Sequence, residues 1–256
     1  MRYWDAVFAF LVAMAIAALL TPLAARFARR IGAVARPGPR GLARIETPEL
    51  GGLAILAGVL IAAAFWMPGS IKLPRPPHTP PGFGGTVNTL AVLAGAATIT
   101  IVGAVDDWRD LPPGVKLLGQ IAAAVIAVRA GVKISDVTLP FIGILSFPNA
   151  GDVIAVVWLV GLMNVVNFSD GIDGLAAGLC TIDGIAFAII AFDLNIAPAG
   201  VLAALTAGAA LGFLFHNFYP ANVFMGDAGA NLLGYLLGVA AVIGRASCRE
   251  RVSYHV

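Results

Sequence analysis

Residues 164–174 read Asn-Val-Val-Asn-Phe-Ser-Asp-Gly-Ile-Asp-Gly and stand where a long apolar run ends. The stretch places Asn164, Asn167, Asp170 and Asp173 at three-residue steps. In a regular α-helix such a row drifts by about 60° per step, so the four side chains would spread over half the circumference. A tightened or broken helix, which the glycines of the stretch permit, would turn them towards one ligand. The alternative is a solvated loop whose Asp and Gly residues cap two helices.

The composition indicates a protein that crosses a membrane several times. Of the 256 residues, 59% are hydrophobic and 12% are charged, and the mean hydropathy is +0.91. These values lie far outside the range of soluble domains. The net charge of +2 gives no argument for nucleic-acid binding. Cys180 and Cys248 provide neither a disulfide framework nor metal-ligand spacing.

The apolar runs predict an all-α polytopic membrane protein with about eight transmembrane helices. The first run continues into a basic segment without a convincing cleavage site, so we interpret it as a retained span. Residues 132–147 alternate and include β-branched side chains, which predicts a short external β-hairpin. The predicted spans are Trp4–Ala24, Gly51–Met67, Val87–Val105, Val115–Ala130, Val153–Phe168, Gly174–Phe192, Ala199–Phe218 and Leu232–Ile243.

The positive-inside rule orients these spans. The arginines of residues 26–44 follow the first span, which places that segment on the cytoplasmic side. Alternating spans then bring Asp106, Asp107, the polar residues of 164–174 and Asp227 to the same side. We therefore expect the carboxylates to converge on one face of the membrane.

The end of the chain departs from this pattern. Eight alternating spans place the arginines of residues 245–256 outside, against the positive-inside rule. Either a span is miscounted or the chain has been truncated and its end replaced. We favour truncation, with residues 1–244 as a single integral-membrane domain and residues 245–256 as an atypical, non-native tail.

Carboxylates and amides on one face suit a hard divalent cation. Without the His or Cys ligands typical of zinc or copper sites, such donors select Mg²⁺ or Mn²⁺. These ions usually act with a phosphorylated substrate, whose remaining charge Arg40 or Arg44 would hold. Asp106 and Asp107 are adjacent, so the negative charge of one would raise the pKa of the other, which suits a general base. For Asp227, a helix N-cap is the alternative to a metal ligand.

Four motifs together resemble a known family over residues 26–238, approximately. The family comprises the polyprenyl-phosphate N-acetylhexosamine-1-phosphate transferases of glycosyltransferase family 4. The chain is most similar to the N-acetylglucosamine-1-phosphate transferase type, which is related to phospho-N-acetylmuramoyl-pentapeptide transferase. The motifs are Thr47-Pro48-x-x-Gly51-Gly52, then Asp106-Asp107 with Leu111-Pro112-Pro113 and Gln120, then the stretch 164–175, then Pro-Ala-x-Val-Phe-Met-Gly-Asp-Ala-Gly at 220–229.

The resemblance implies a reaction and a location. An enzyme of this kind transfers N-acetylhexosamine 1-phosphate from a UDP-sugar to undecaprenyl phosphate and releases UMP, which initiates synthesis of a cell-envelope glycan. It implies Mg²⁺, with Mn²⁺ as a substitute, and a multi-pass protein of the bacterial cytoplasmic membrane whose active site faces the cytoplasm. The implied partners are undecaprenyl phosphate, UDP-N-acetylhexosamine and the lipid bilayer, with no nucleic acid and with a homodimer left open.

The resemblance also implies roles for individual residues. Arg44 stands where the peptidoglycan-precursor branch has lysine, which keeps the charge. The roles are metal ligation for Asn164 and Asp227, catalysis for Asp106, Asp107, Asp170 and Asp173, and substrate binding for Arg44, Thr47, Asn167, Asn217 and Phe224.

Several alternatives stay open at this point. Within enzymes they are the muramoyl-pentapeptide branch, and a two-step route through an aspartyl-phosphate instead of direct displacement. Outside enzymes they are an ion-coupled transporter and an inactive truncated scaffold. A transporter would carry its carboxylates at mid-span, whereas here only Asp183 does so, and we expect Asp183 to be a satisfied buried residue.

Overall fold

A computed structural model describes residues 3–35, 46–72, 86–134, 136–139, 143–146 and 150–252 of the chain. These residues are mainly helical, which confirms the predicted all-α fold. In chain order, the helices are α1 (Tyr3–Ile31), α2 (Gly51–Trp66), α3 (Thr89–Arg109), α4 (Pro113–Arg129), α5 (Gly151–Ser169), α6 (Leu175–Asp193), α7 (Ala197–Asn217) and α8 (Gly226–Val252).

The described helices differ in whether they can cross a membrane. Six of them are long and apolar enough to do so, and α2 and α4 are the exceptions. α2 has 16 residues and α4 has 17. At about 1.5 Å per residue, both are shorter than a hydrocarbon core about 30 Å thick. The multi-spanning prediction is therefore confirmed, with its count of eight spans approximate.

Short antiparallel strand pairs occupy three of the connections. One of them, between α4 and α5, confirms the hairpin predicted over residues 132–147. The pairs are β1 (Val34–Ala35) with β2 (Thr47–Pro48), β3 (Ser70–Lys72) with β4 (Thr86–Asn88), and β5 (Asp136–Leu139) with β6 (Gly143–Ser146).

The core lies around α7 and α8. The most apolar 18-residue stretch of each helix is 78% buried in α7 and 83% buried in α8. α7 packs closely on α1 because small residues line the contact. A Cβ at Gly208 would lie 2.1 Å from the carbonyl oxygen of Phe10, and one at Gly212 would lie 2.1 Å from that of Met14. Such small residues let helix backbones approach within a membrane.

The C-terminal end of one helix and the N-terminal end of the next lie at the same end of the bundle, which we call the polar end. The Trp108 indole nitrogen at the end of α3 donates to the Ile31 carbonyl at the end of α1, at 3.0 Å. The Gly51 amide at the start of α2 donates to the Phe224 carbonyl just before α8, at 3.1 Å. The polar end therefore holds the C-terminal ends of the odd-numbered helices and the N-terminal ends of the even-numbered ones.

Asp183 lies near the middle of α6, and its side chain is exposed. The expectation that it would be buried is wrong. Its neighbour Gly184 faces α7, where an added Cβ would lie 2.8 Å from the Ala207 side chain. Successive residues point about 100° apart on a helix, so Asp183 is turned away from that contact.

We predict that Gly52→Ala destabilises the protein, because α2 and α8 touch through their backbones at this point. A Cβ at Gly52 would lie 2.2 Å from the Gly229 amide nitrogen. Overpacking of this kind costs about 1–3 kcal/mol, which corresponds to a melting temperature lower by roughly 5 °C. Thermal unfolding in detergent measures the change. The control is Gly178→Ala on α6, where an added Cβ meets no atom within 4 Å; equal melting temperatures for both variants would contradict the prediction.

Candidate active site

A cluster of three carboxylates lies at the polar end. Asp106 and Asp107 form the last turn of α3, and Asp227 lies in the first turn of α8. One oxygen from each carboxylate lies within 4.8 Å of the others. The fold thus joins motifs that stand more than a hundred residues apart in the chain, and we call these three residues the carboxylate cluster.

Asp107 binds the start of α8. Its carboxylate accepts from the Asp227 amide at 2.7 Å and from the Ala228 amide at 3.2 Å. The first amides of a helix have no partner within the helix, so Asp107 caps α8 from another part of the chain. Gly226 has a φ of +68°, and a Cβ there would lie 2.3 Å from the Asp107 Oδ2 atom. Only glycine suits this position.

Lys116 places a positive charge between the two other carboxylates. Its ammonium contacts the Asp106 Oδ2 atom and lies 3.0 Å from the Asp227 Oδ2 atom. Asp106 is buried, whereas the Lys116 side chain is 39% exposed. The second Asp106 oxygen accepts from the Leu111 amide at 2.7 Å. Lys116 thus offsets the repulsion between the carboxylates and still reaches solvent.

Asn167 reaches the cluster, but the three-residue row does not stay together. The Asn167 side-chain amide donates to the Asp227 Oδ1 atom at 2.8 Å. α5 continues as a regular helix to Ser169, and it ends with one tighter hydrogen bond, from the Asp170 amide to the Asn167 carbonyl at 3.2 Å. The Asp173 carboxylate turns away to accept from the Ala221 amide at 3.0 Å. Asn167 therefore contacts the carboxylate cluster, whereas Asp173 contacts the loop that precedes α8.

Two further carboxyls lie in the field of the cluster. Burial, together with Asp110, Asp227 and Asp106, raises the pKa of Glu49 to about 7. Burial, together with Asp227, Glu49 and Asp173, raises the pKa of Asp170 to about 8. Burial is the larger cause of both raised pKa values, and the neighbouring carboxylates add to it because they disfavour ionisation.

The donor set of the cluster fits a hard cation. Among the described residues, the group holds three aspartates and neither histidine nor cysteine. Carboxylate oxygens are the ligands that Mg²⁺ and Mn²⁺ prefer. Asp106 and Asp227 bear the oxygens that contact Lys116, whereas the two oxygens of Asp107 bind backbone amides. Asp106 and Asp227 are accordingly better placed than Asp107 to bind a cation.

The remaining predicted residues lie around this cluster in different ways. Asn217 is 2% exposed; its side chain accepts from the Gly174 amide and donates to the Val223 carbonyl, each at 3.0 Å. It thereby ties together the loops before α6 and α8. Thr47 is 3% exposed within β2, and Phe224 is half-buried. Arg40 and Arg44 lie outside the described residues. Substrate binding by Thr47, Asn217, Phe224 and Arg44 stays a prediction.

Sequence reasoning assigned no role to Lys116, Glu49, Gln120 or Asn231. For three of them a signal existed, because Lys116 and Gln120 stand one helical turn apart in an apolar helix, and so do Asp227 and Asn231. Polar pairs at this spacing mark one face of a helix. Glu49 has no comparable signal, since only the fold brings it close to the cluster.

We predict that Asp107→Ala lowers the melting temperature, because it leaves two amides at the start of α8 without their carboxylate partner. Loss of a helix cap costs about 0.5–2 kcal/mol. Asp107→Asn, which keeps one acceptor oxygen, should be milder. Asp152→Ala serves as the control, because this aspartate is 55% exposed and paired with Lys133 at 3.0 Å. A loss for Asp107→Ala no larger than that of the control would exclude the capping role.

We predict that the chelator-treated protein loses stability as the pH rises. The pKa values of Glu49 and Asp170 are raised in the folded protein to about 7 and about 8. Their contribution to stability is therefore complete below the unfolded pKa values near 4, and it is lost as the pH rises through the folded values. Melting temperatures across about pH 5–9 measure this, and Glu49→Gln with Asp170→Asn should flatten the slope. An unchanged slope in the double variant would contradict the assignment.

Comparison with known proteins gives one matching family model and several curated relatives. The model is that of glycosyl transferase family 4, and it matches residues 89–245. A probable undecaprenyl-phosphate N-acetylglucosaminyl 1-phosphate transferase of Bacillus subtilis is 33% identical over 244 residues, which are 93% of this chain and 63% of the relative. A decaprenyl-phosphate N-acetylglucosaminephosphotransferase of Mycobacterium leprae is 37% identical over 242 residues, covering 90% of this chain and 59% of the relative.

A third relative comes from the peptidoglycan branch. The phospho-N-acetylmuramoyl-pentapeptide-transferase of Desulforudis audaxviator is 34% identical over 267 residues, covering 92% of this chain and 75% of the relative. The chain thus spans about three-fifths of the first two relatives, at 63% and 59% of their lengths. The family model covers more than half of the chain, including α3 to α7, most of α8 and the whole carboxylate cluster, so the chain belongs to glycosyl transferase family 4.

Proposed function

We propose that this protein transfers an N-acetylhexosamine 1-phosphate, namely N-acetylglucosamine 1-phosphate, from its UDP-sugar to undecaprenyl phosphate and releases UMP. The observation that carries the proposal is the carboxylate cluster with Lys116 at one end of a membrane bundle, within a chain of this family. Such a site brings a membrane-anchored phosphate and a water-soluble diphosphate together. Two of the relatives are named as polyprenyl-phosphate N-acetylglucosamine 1-phosphate transferases, one for undecaprenyl and one for decaprenyl phosphate, which supports this reaction.

The residues in and around the cluster would have different roles in this reaction. Asp227 and Asn164 would hold Mg²⁺, which when bound neutralises charge on the diphosphate oxygens. Asp106 would hold Lys116, whose partly exposed side chain offers a second positive charge to an incoming phosphate. Asp107 would keep Asp227 in place by capping α8. Asn167, Asp170, Asp173 and Phe224 would line the path of the nucleotide-sugar.

The step itself would be a direct displacement at phosphorus. An oxygen of the lipid phosphate forms a bond to the sugar-linked phosphorus, and the bond from that phosphorus to the bridging oxygen breaks. The electron pair of the broken bond leaves with UMP, and an ionised lipid phosphate has no proton to lose. The barrier arises mainly from bringing two anions together, so Lys116 and the rigid ends of α3 and α8 act by positioning and by charge.

The polar end would face the cytoplasm, where nucleotide-sugars are made. α1 reaches the polar end with Arg29 and Arg30 in its last turn. Arg109 at the end of α3 also lies there, stacked 4.1 Å from the centre of the Trp108 ring. Basic residues flank the cytoplasmic ends of membrane spans, which supports this orientation.

Transfer of phospho-N-acetylmuramoyl-pentapeptide is the second candidate. The observation in its favour is the 34% identity to the Desulforudis audaxviator enzyme, which differs little from the identities to the other relatives. Supplying either UDP-N-acetylglucosamine or UDP-N-acetylmuramoyl-pentapeptide with undecaprenyl phosphate separates the two candidates. UMP released only from the first substrate supports our proposal, and release only from the second replaces it.

We predict that purified protein releases UMP from UDP-N-acetylglucosamine only with undecaprenyl phosphate and a divalent cation. Lys116→Met should lower kcat/KM by about 10²–10³, the cost of removing one charge-stabilising group. The matched control is Lys133→Met, which removes an exposed lysine paired with Asp152 at the far end of α4 and α5. UMP release that needs no lipid phosphate, or equal loss in both variants, would contradict the proposal.

A further inference from the structure

Three side-chain amides form a continuous row behind the carboxylate cluster, and we call them the amide relay: Gln120 of α4, Asn164 of α5 and Asn231 of α8. Gln120 is 6% exposed and Asn231 is 5% exposed. Gln120 donates through Nε2 to the Asn231 Oδ1 atom at 2.8 Å, and its Oε1 atom accepts from Asn164 Nδ2 at 2.9 Å. Buried amides that are fully hydrogen-bonded can fix one arrangement of a site.

The two ends of the relay determine the orientation of every amide in it. Asn231 Nδ2 donates to the backbone carbonyl of Asp227 at 2.8 Å, and Asn164 Nδ2 donates to that of Val160 at 2.8 Å. A carbonyl oxygen can only accept, so each of these contacts requires the NH₂ group. Asn231 must then offer its oxygen to Gln120, and Gln120 must offer its oxygen to Asn164. A flip of any one amide would face acceptor against acceptor or donor against donor.

The orientation of the amides determines which atom Asn164 can offer to a ligand. Its NH₂ group makes two hydrogen bonds, to Gln120 and to Val160, which use both of its protons. The Oδ1 atom is therefore the atom that Asn164 offers to a ligand. A flipped Asn164 would present the NH₂ group instead, which cannot bind a cation.

We propose that Gln120 and Asn231 are positioning residues that hold Asn164 with its amide oxygen presented to the divalent cation of the site. This inference rests on the proposed function, in which Asn164 and Asp227 hold that cation. The relay ends on the backbone carbonyl of Asp227, so it connects the Asn164 side chain on α5 to the helix turn that carries the second ligand on α8. Groups that orient metal ligands from behind commonly change metal affinity when they are replaced.

The test uses Mn²⁺ as the probe and measures its binding by the loss of the free-ion EPR signal, with purified protein in detergent. Gln120→Met keeps the length of the side chain and removes both of its hydrogen bonds. Mn²⁺ should bind about 10–100-fold more weakly to this variant. Asn231→Leu should weaken binding similarly, and it decides the question if Gln120→Met does not fold.

Tyr235→Phe is the matched control. Tyr235 lies one turn beyond Asn231 on α8 and donates a buried hydrogen bond to the Val92 carbonyl at 3.0 Å, apart from the relay. Its removal should lower the melting temperature without changing Mn²⁺ affinity. Equal weakening of Mn²⁺ binding in Tyr235→Phe and Gln120→Met would overturn the proposal, because a general loss of packing would then explain both.

A double-mutant cycle shows whether the relay acts through Asn164. Adding Gln120→Met to Asn164→Ala should weaken Mn²⁺ binding no further, because the oxygen that Gln120 orients is already gone. Additive losses would overturn the proposal, and so would unchanged affinity in folded Gln120→Met or the absence of Mn²⁺ binding by the original protein. UMP release reports the proposed function separately. Mn²⁺ binding that follows the relay in a protein without UMP release would refute only the transferase.

Discussion

The hydrogen bonds from the Asp227 and Ala228 amides to the Asp107 carboxylate are the contact on which the site depends. They join the end of α3 to the start of α8 at 2.7 and 3.2 Å. Both helices are membrane-length, so a contact at their ends fixes how they sit against each other. Because Asp106 is adjacent to Asp107, the same contact sets the separation of Asp106 and Asp227. The geometry of the cluster therefore follows from a helix cap.

The membrane explains why the charged residues concentrate at one end. A carboxylate in hydrocarbon is costly, whereas one at the end of a span can reach water and counter-ions. Asp106 and Asp107 close α3, and Asp227 opens α8. Lys116 offsets part of their charge, and among the described residues its single ammonium group pairs with two of the three carboxylates of the cluster. A cation and an anionic substrate that binds with it would complete this balance.

The sequence predicted the helices and the convergence of Asp106, Asp107 and Asp227, because hydropathy and alternation of spans are simple constraints in a membrane. It did not predict how the residues share roles. The polar residues of 164–174 do not converge on one ligand, because α5 stays regular to Ser169 and only then ends. The role of Asp107 as a cap depends on the positive φ of Gly226, and such long-range contacts leave no local pattern.

The most direct test of this account is to locate the cation. The measurement is an anomalous difference map from crystals of the protein grown with Mn²⁺ and UDP. The account predicts a peak within about 2.0–2.3 Å of a carboxylate oxygen of Asp227, on the side of Asp106 and Asn164. A peak bound elsewhere, with the Asp227 carboxylate still held by Lys116 and Asn167, would contradict the claim that the carboxylate cluster is the catalytic centre.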